Sequence, residues 1–357
     1  MKQNYVYTDW ILHAKFKPAN KIKEAPAMPE IKEALVTVYA SKESLQQLAA
    51  ALAPAKVTYC MPYGPGAQEK IKEACKTCDV AIFNGDYDEA ILDNPNIKWI
   101  HCCRAGLDNS AKPEIFERGI ILTSSSGRSA PALAEHAIMF MLAMTYDLPK
   151  LYRCQQQHQW NATREYSQRT SMIKKTLGIV GLGKTGHEVL KLARAFDMRV
   201  LAYDRSRKAV EGVERVYASA EGDSLNEMLA QCDYVVLCVE LNDSTYHMIG
   251  EEQFKAMKDS AYLINMGRGA LVDEPVMIEA LKNGVIAGAG LDTFEQEPLP
   301  ARSPLWDLPN VLITPHVTPQ LPDREERMLS YVYQNLKAYR EGGEFVNRVT
   351  PRNIFSK

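Results

Sequence analysis

Residues 176–186 read TLGIVGLGKTG, an apolar run that ends in Gly181-Leu182-Gly183-Lys184-Thr185-Gly186. An apolar strand that enters a GxGxxG turn and then opens a helix is the phosphate-binding turn of a dinucleotide fold. The spacing has a mechanical reason. The first glycine allows the tight turn, the second lets backbone amides approach a pyrophosphate, and the third lets helix and strand pack closely. Eighteen residues after Gly186, at the end of the next apolar run, RVLAYD, stands Asp204. A carboxylate there accepts the adenosine ribose hydroxyls and repels a 2′-phosphate, which favours NAD over NADP. Arg205, Arg207 and Lys208 follow at once and keep NADP open, since basic side chains at this turn could hold the 2′-phosphate.

Outward from the turn, DYVVLCV, AYLINMG, AGAGLD and NVLITPH are further strand candidates, most of them separated by helical segments. Upstream, Ala34–Tyr39, Val57–Cys60, Val80–Phe83, Trp99–His101 and Ile120–Thr123 form an earlier series of short apolar runs. Strands alternating with helices predict a parallel α/β architecture. Two long helix candidates, Ala132–Tyr146 and Asp323–Arg340, bracket the second series. This layout predicts two Rossmann-like domains with parallel sheets, the dinucleotide-binding one inserted into a discontinuous substrate-binding one. The expected division is 1–131 (with an N-terminal extension to about Glu30), 132–318, and a C-terminal return over 319–357. A small substrate would bind in the cleft between them.

Composition narrows the function. At 357 residues, with 46% hydrophobic and 24% charged residues, the chain has material for two ordinary cores without disulfides or metal. A formal net charge of −2 supplies no bulk attraction to nucleic acid or membrane. The longest apolar stretch, Ala137 to Met144, is far too short to span a bilayer, and MKQNYVYTDW has no signal-peptide core behind it, so a cytoplasmic protein is expected. Eight scattered cysteines read as free thiols in that compartment. Cys75 and Cys78 make one CxxC, but no second pair or nearby histidine stands at metal spacing, and IKEACKTCD reads as a helix end. No metal is expected.

Three polar residues follow apolar strands where a parallel sheet presents its carboxyl ends: Arg268 after LINMG, Glu297 after GLDTFEQ and His316 after VLITP. Taken singly, each is most simply a solvated or structural residue. Together they match the reduction of a 2-oxo acid. The substrate's carboxylate and carbonyl oxygen need a planar, permanently charged donor, which arginine supplies. The alkoxide that develops as hydride arrives needs a proton from a group titrating near neutrality, which describes histidine. A neighbouring carboxylate stabilises the imidazolium and orients its ring.

The chain resembles the D-isomer-specific 2-hydroxyacid dehydrogenases over roughly residues 80–335. The resemblance rests on AGLDN (105–109), ALAEHAIMFML (132–142), GIVGLGKTG (178–186), NMGRGALVDE (265–274), GAGLDTFEQEP (288–298) and PLWDLPNVLITPH (304–316). It implies that Arg268 binds substrate, His316 is the acid/base and Glu297 its partner. It also implies that backbone amides around Ala105 and Gly106 hold the substrate carboxylate. Dinucleotide contacts would fall at Lys184, Thr185, Asp204, Arg205, Cys238, Met266, Gly267, Arg268, Asp292 and His316, besides the glycine turn. The resemblance further implies a cleft active site and a homodimer.

The chain departs from the family pattern before about residue 78, in the VTPQLPDR loop after His316, and at Arg128, where a polar Asn is more usual. Arg128 reads as a surface neighbour of a helix cap; the alternative is that it holds an extra acidic group on the substrate. Two other functions share the fold. A formate-type dehydrogenase would carry glutamine where this chain has Glu297, while a phosphite dehydrogenase is harder to separate. An NAD(H)-sensing corepressor would bind dinucleotide without turnover and would need a partner groove.

Overall fold

The computed structural model describes residues 29–61, 63–160, 171–206, 208–318 and 320–357. Residues 1–28 of the N-terminal extension, and Arg207, lie outside the described residues.

The first series of strands forms one sheet: β1 (Glu33–Val36), β2 (Lys56–Tyr59), β3 (Val80–Phe83), β4 (Trp99–Cys102) and β5 (Ile121–Ser124), in the order β2-β1-β3-β4-β5. The second forms another: β6 (Thr176–Val180), β7 (Arg199–Asp204), β8 (Arg215–Ala218), β9 (Tyr234–Leu237), β10 (Tyr262–Asn265), β11 (Gly288–Leu291) and β12 (Val311–Ile313). Its order is β12-β11-β10-β9-β6-β7-β8. Every strand pair in both sheets is parallel. Both sheets are Rossmann-like, and this is why the central strands read as unbroken apolar runs. Each residue of β3, β6, β9 and β11 is buried, because helices cover both faces. The sequence gives no strand signal at β8. That strand lies at the sheet edge, pairs only with β7 and begins on the exposed Arg215, so its buried apolar run is only the three residues Val216–Ala218, too short to stand out.

Two helices link the sheets. Ala130–Thr145 is apolar on nearly every side, the pattern of a helix buried all round. Its Phe140 and Met144 press on Gly290 of β11, where an added Cβ would stand 2.6 Å from the Phe140 ring. It also packs against the helix Lys184–Ala195 that follows the glycine turn. The last helix, Arg324–Glu341, returns to the first sheet and buries Met328, Leu329, Val332 and Leu336 in one core with Val36, Leu48 and Trp99. Each such aliphatic side chain contributes about 1.5–3 kcal/mol by leaving water. Tyr339 stacks on Trp99 with ring centres 5.9 Å apart.

The polar tail does more than end the chain. Val349 donates its N–H to Leu122 O at 2.8 Å, beside an antiparallel bridge between Thr123 and Arg348 on the first sheet. A few residues later it reaches the second sheet. Asn353 Nδ2 donates to Glu240 Oε2 at 2.6 Å, and the Ser356 N–H donates to Asp243 Oδ1 at 2.8 Å.

The glycine turn has the geometry its spacing implies. Gly181 sits at φ +97°, in the region that favours glycine. At Gly186 an added Cβ would stand 2.1 Å from the Gly181 carbonyl oxygen, so strand and helix meet with no room for a side chain. Replacing Gly186 with Ala must push backbone against backbone. The expected loss is about 1–3 kcal/mol of unfolding free energy, the usual range for overpacking. Urea denaturation of the two proteins checks it, and an unchanged midpoint would show that the helix can slide away freely.

Candidate active site and dinucleotide cavity

The carboxyl ends of β6, β7 and β9 open onto a cavity of about 850 Å³, lined in part by Gly181, Gly183, Thr185, Asp204, Arg205 and Cys238. At Gly183 an added Cβ would meet nothing within 4 Å. The backbone there is bare toward open space, as close approach of a pyrophosphate requires. The helix Lys184–Ala195 starts at this point, and its first N–H groups have no partner within the helix, an arrangement suited to an anion. Asp204 closes the far side at the end of β7; its Oδ2 accepts the Leu182 N–H at 2.9 Å, tying the acid to the turn itself. Arg205 is exposed beside it. These features fit a nicotinamide dinucleotide.

Lys184 also lines this cavity and at the same time spans the cleft: its Nζ donates to Ser126 O at 3.1 Å and to Asn347 Oδ1 at 2.9 Å, and lies 4.1 Å from the Tyr331 ring centre. Its ammonium is a tie between the two halves of the molecule. Burial pushes the Cys238 thiol up to about 12, so it stands as a neutral wall.

A second cavity of about 390 Å³ adjoins the first, and Thr185, Cys238 and Glu240 line both. Ala105, Gly106, Met266, Gly267, Arg268, Asp292 and His316 all line this second cavity. The sequence-derived candidates for substrate and nicotinamide therefore converge although they come from four separate segments. Glu297 stands directly behind His316.

The geometry of the pair is specific. His316 Nδ1 and Glu297 Oε2 are 2.7 Å apart. An ionised carboxylate can only accept, so the ring proton belongs on Nδ1 and Nε2 is left for a substrate. Glu297 is itself held, its Oε1 accepting the Phe294 N–H at 3.0 Å. His316 is also one of the few non-glycine residues with positive φ, at +50°. Such a backbone persists when its surroundings impose it. The imposing group is Asp292, whose Oδ1 accepts the Val317 N–H at 3.1 Å and the Thr314 hydroxyl at 2.6 Å. Its Oδ2 accepts the Thr318 hydroxyl at 2.9 Å. His136, from the helix Ala130–Thr145, bridges the same two threonines at 3.0 and 3.2 Å; burial holds its pKa below the usual histidine value. Asp292 thus clamps the residues on both sides of His316.

Arg268 is fixed as firmly. Its Nε donates to Asp108 Oδ1 at 3.1 Å and its Nη1 to the Gly267 carbonyl at 3.0 Å. Its guanidinium fills the space over Gly106, where an added Cβ would lie 1.7 Å from Nη2. The loop bearing Arg268 and the loop leading to Glu297 touch at Gly269, whose Cβ would fall 1.8 Å from the Phe294 carbonyl carbon.

Sequence reasoning passed over Asp108, Thr314, Thr318 and His136. Asp108 lies inside the AGLDN stretch and was in view. His136 and Thr314 likewise lie inside the ALAEHAIMFML and PLWDLPNVLITPH stretches, while Thr318 carries no signal until folding places it beside Asp292. The expectation for Arg128 is overturned. It is no surface cap neighbour: Nε and Nη1 are buried with no hydrogen-bond partner among the described residues, and they lie in the wall of the cavity that holds His316. Elsewhere, Cys75 and Cys78 are buried thiols, both pushed up to about 12 by burial. Among the described residues no helix is long and apolar enough to cross a membrane.

Comparison with known proteins agrees with the fold. Residues 138–318 match the model of the D-isomer specific 2-hydroxyacid dehydrogenase NAD binding domain. A glyoxylate reductase of Korarchaeum cryptofilum is 35% identical over 283 residues, covering 78% of this chain and 84% of that one. The chain belongs to the D-isomer specific 2-hydroxyacid dehydrogenase family. A glyoxylate reductase of Pyrococcus horikoshii is 36% identical over 280 residues, 77% of this dehydrogenase and 82% of its own length. Among solved structures, a D-isomer specific 2-hydroxyacid dehydrogenase of Xanthobacter autotrophicus in complex with NADPH superposes with a TM-score of 0.74 at 25% identity. That similarity covers 90% of this chain and 99% of that one.

Proposed function

We propose that this dehydrogenase reduces a 2-oxo acid to the (D)-2-hydroxy acid with His316 as proton donor, Glu297 as its partner and Arg268 as substrate clamp. The observation that carries the reading is the 2.7 Å His316–Glu297 contact, set on the cavity that Arg268 also lines and that adjoins the glycine turn. The chain is a nicotinamide-dependent oxidoreductase acting on CH–OH donors; the dinucleotide, when bound in its reduced form, supplies the hydride to the carbonyl carbon. The protein's own residues do the rest. Arg268, anchored through Nε by Asp108, turns its remaining N–H groups to the substrate's carboxylate and carbonyl oxygen, with amides around Ala105 and Gly106 completing the carboxylate site. As the carbonyl oxygen gains negative charge, His316 Nε2 delivers a proton to it, and Glu297 stabilises the imidazolium before that transfer. In the oxidative direction the same nitrogen takes the proton back.

The division into a dinucleotide-binding part at 132–318 and a discontinuous substrate-binding part at 1–131 and 319–357 accords with this chemistry, each cavity opening at sheet carboxyl ends. Asp204, tied to the turn and facing the first cavity, favours NADH over NADPH. The free thiols Cys60, Cys75, Cys78, Cys102, Cys103, Cys232 and Cys238 suit a cytoplasmic enzyme. For self-association, the helix Leu148–Gln156 has no buried residue although it carries Leu148, Leu151 and Tyr152, and Met139 and Tyr146 stand exposed next to it. An apolar face of this kind is covered in a homodimer.

Three measurements check these statements. His316→Gln should lower kcat for 2-oxo acid reduction by about 10²–10⁴-fold while leaving NADH binding, followed by fluorescence, largely in place; near-normal turnover would reject His316 as the donor. Comparing kcat/KM for NADH and NADPH in the parent protein then tests Asp204, with a clear NADPH preference contradicting the assignment. Sedimentation equilibrium should give twice the chain mass, and Leu151→Glu should halve it; a monomeric parent would remove the dimer.

A further inference from the structure

Five arginines line the cavity that holds His316: Arg104, Arg128, Arg268, Arg324 and Arg348. Two are neutralised within the protein, Arg268 by Asp108 and Arg104 by Asp86. Arg128 and Arg324 make no ion pair or side-chain hydrogen bond with any described residue. They line this cavity and not the one at the glycine turn, whereas Arg348 lines both. The reaction as derived already has its carboxylate clamp in Arg268, so it leaves these two guanidinium groups without use.

Their placement is costly. Arg128 enters from the loop between β5 and the helix Ala130–Thr145, and its Nε and Nη1 are shielded from water without a partner. A buried charged donor left unpaired is among the more expensive features a protein can hold. Arg324, the first residue of the helix Arg324–Glu341, stands near enough to repel it. Burial, then that repulsion, pushes Arg128 down to about 10, so it remains a cation at neutral pH. The hydroxyl-bearing residues Ser124, Ser126 and Ser129 line the same wall. Two adjacent cations with unused fork-shaped donors, flanked by serines, are the chemistry of a carboxylate or phosphate site.

We propose that Arg128 and Arg324 form a second anion subsite, and that the preferred 2-oxo acids carry a further carboxylate or phosphate at the end remote from the carbonyl. The proposal rests on the reaction assigned above and narrows its substrate class. An anion placed between the two guanidinium groups satisfies the donors of Arg128 and offsets their repulsion, while the 2-oxo acid end stays on Arg268 and His316. Neutral-tailed substrates leave both cations uncompensated.

The test is steady-state reduction of matched pairs by the parent protein, Arg128→Gln and Arg128→Lys: 2-oxoglutarate against 2-oxopentanoate, and phosphohydroxypyruvate against hydroxypyruvate. The readout is the ratio of kcat/KM values within a pair, which cancels any loss of folded enzyme. The parent should favour the dianion in at least one pair, and the pair it favours tells carboxylate from phosphate. Arg128→Gln should lower that ratio about 10- to 100-fold, the size expected for a lost charge-assisted contact, and Arg128→Lys should restore part of it. A parent ratio at or below one in both pairs, or a ratio that Arg128→Gln leaves within twofold, overturns the subsite while the reaction stands. If no 2-oxo acid is reduced although NADH binds, the reaction itself falls and the subsite with it.

Discussion

The strand order of the second sheet reverses between β6 and β9, and the rest of the molecule is arranged around that reversal. From β6 the chain builds one way through β7 and β8 and the other way through β9 to β12. The connections at the carboxyl edge diverge there, leaving a crevice that no helix fills. The glycine turn stands at this crevice because it follows β6. Arg268, Asp292 and His316 stand along the same edge because they follow β10, β11 and β12 in turn. The first sheet supplies the opposite wall through Ala105, Gly106 and Asp108, held in place by the two crossing segments and the tail.

How the site is held differs from how it acts. The groups that would touch substrate each have one face fixed by a carboxylate: His316 by Glu297, Arg268 by Asp108, and the backbone beside His316 by Asp292. Two of these carboxylates are anchored by hydrogen bonds of their own. Asp292 takes two threonine hydroxyls and one N–H, and Glu297 takes the Phe294 N–H. This leaves one nitrogen of the imidazole and part of one guanidinium directed at the cavity. Positioning of this sort lowers the reorganisation needed as charge develops on the substrate oxygen. Against that background, Arg128 and Arg324 stand out because no carboxylate among the described residues pairs with them.

Much of this was legible in the residues. The strands with both faces buried announce themselves as apolar runs, and the motif residues at their ends follow from the parallel topology. The helix at 130–145 and the last helix fall within one or two residues of their expected bounds. What was not legible has physical causes. The edge strand β8 offers an apolar run of only three residues, Val216–Ala218. The threonine–histidine frame around Asp292 depends on contacts between residues more than 170 positions apart, such as His136 and Thr314. Arg128 misled because arginine is so commonly solvated that its sequence context, beside a helix start, supports the ordinary reading. The tail reads as merely polar, yet its polar groups are what join it to Glu240 and Asp243.

The central claim is that hydride passes directly between a dinucleotide in the first cavity and a 2-oxo acid carbonyl in the second. Tracing the label from nicotinamide-deuterated NADH into the product tests it most directly. The account predicts 2-hydroxy acid carrying one deuterium on C2, with the label coming from one face of the nicotinamide ring only. Product without deuterium, formed while NADH is consumed, would contradict it, since the hydrogen would then have reached carbon by way of solvent or another carrier.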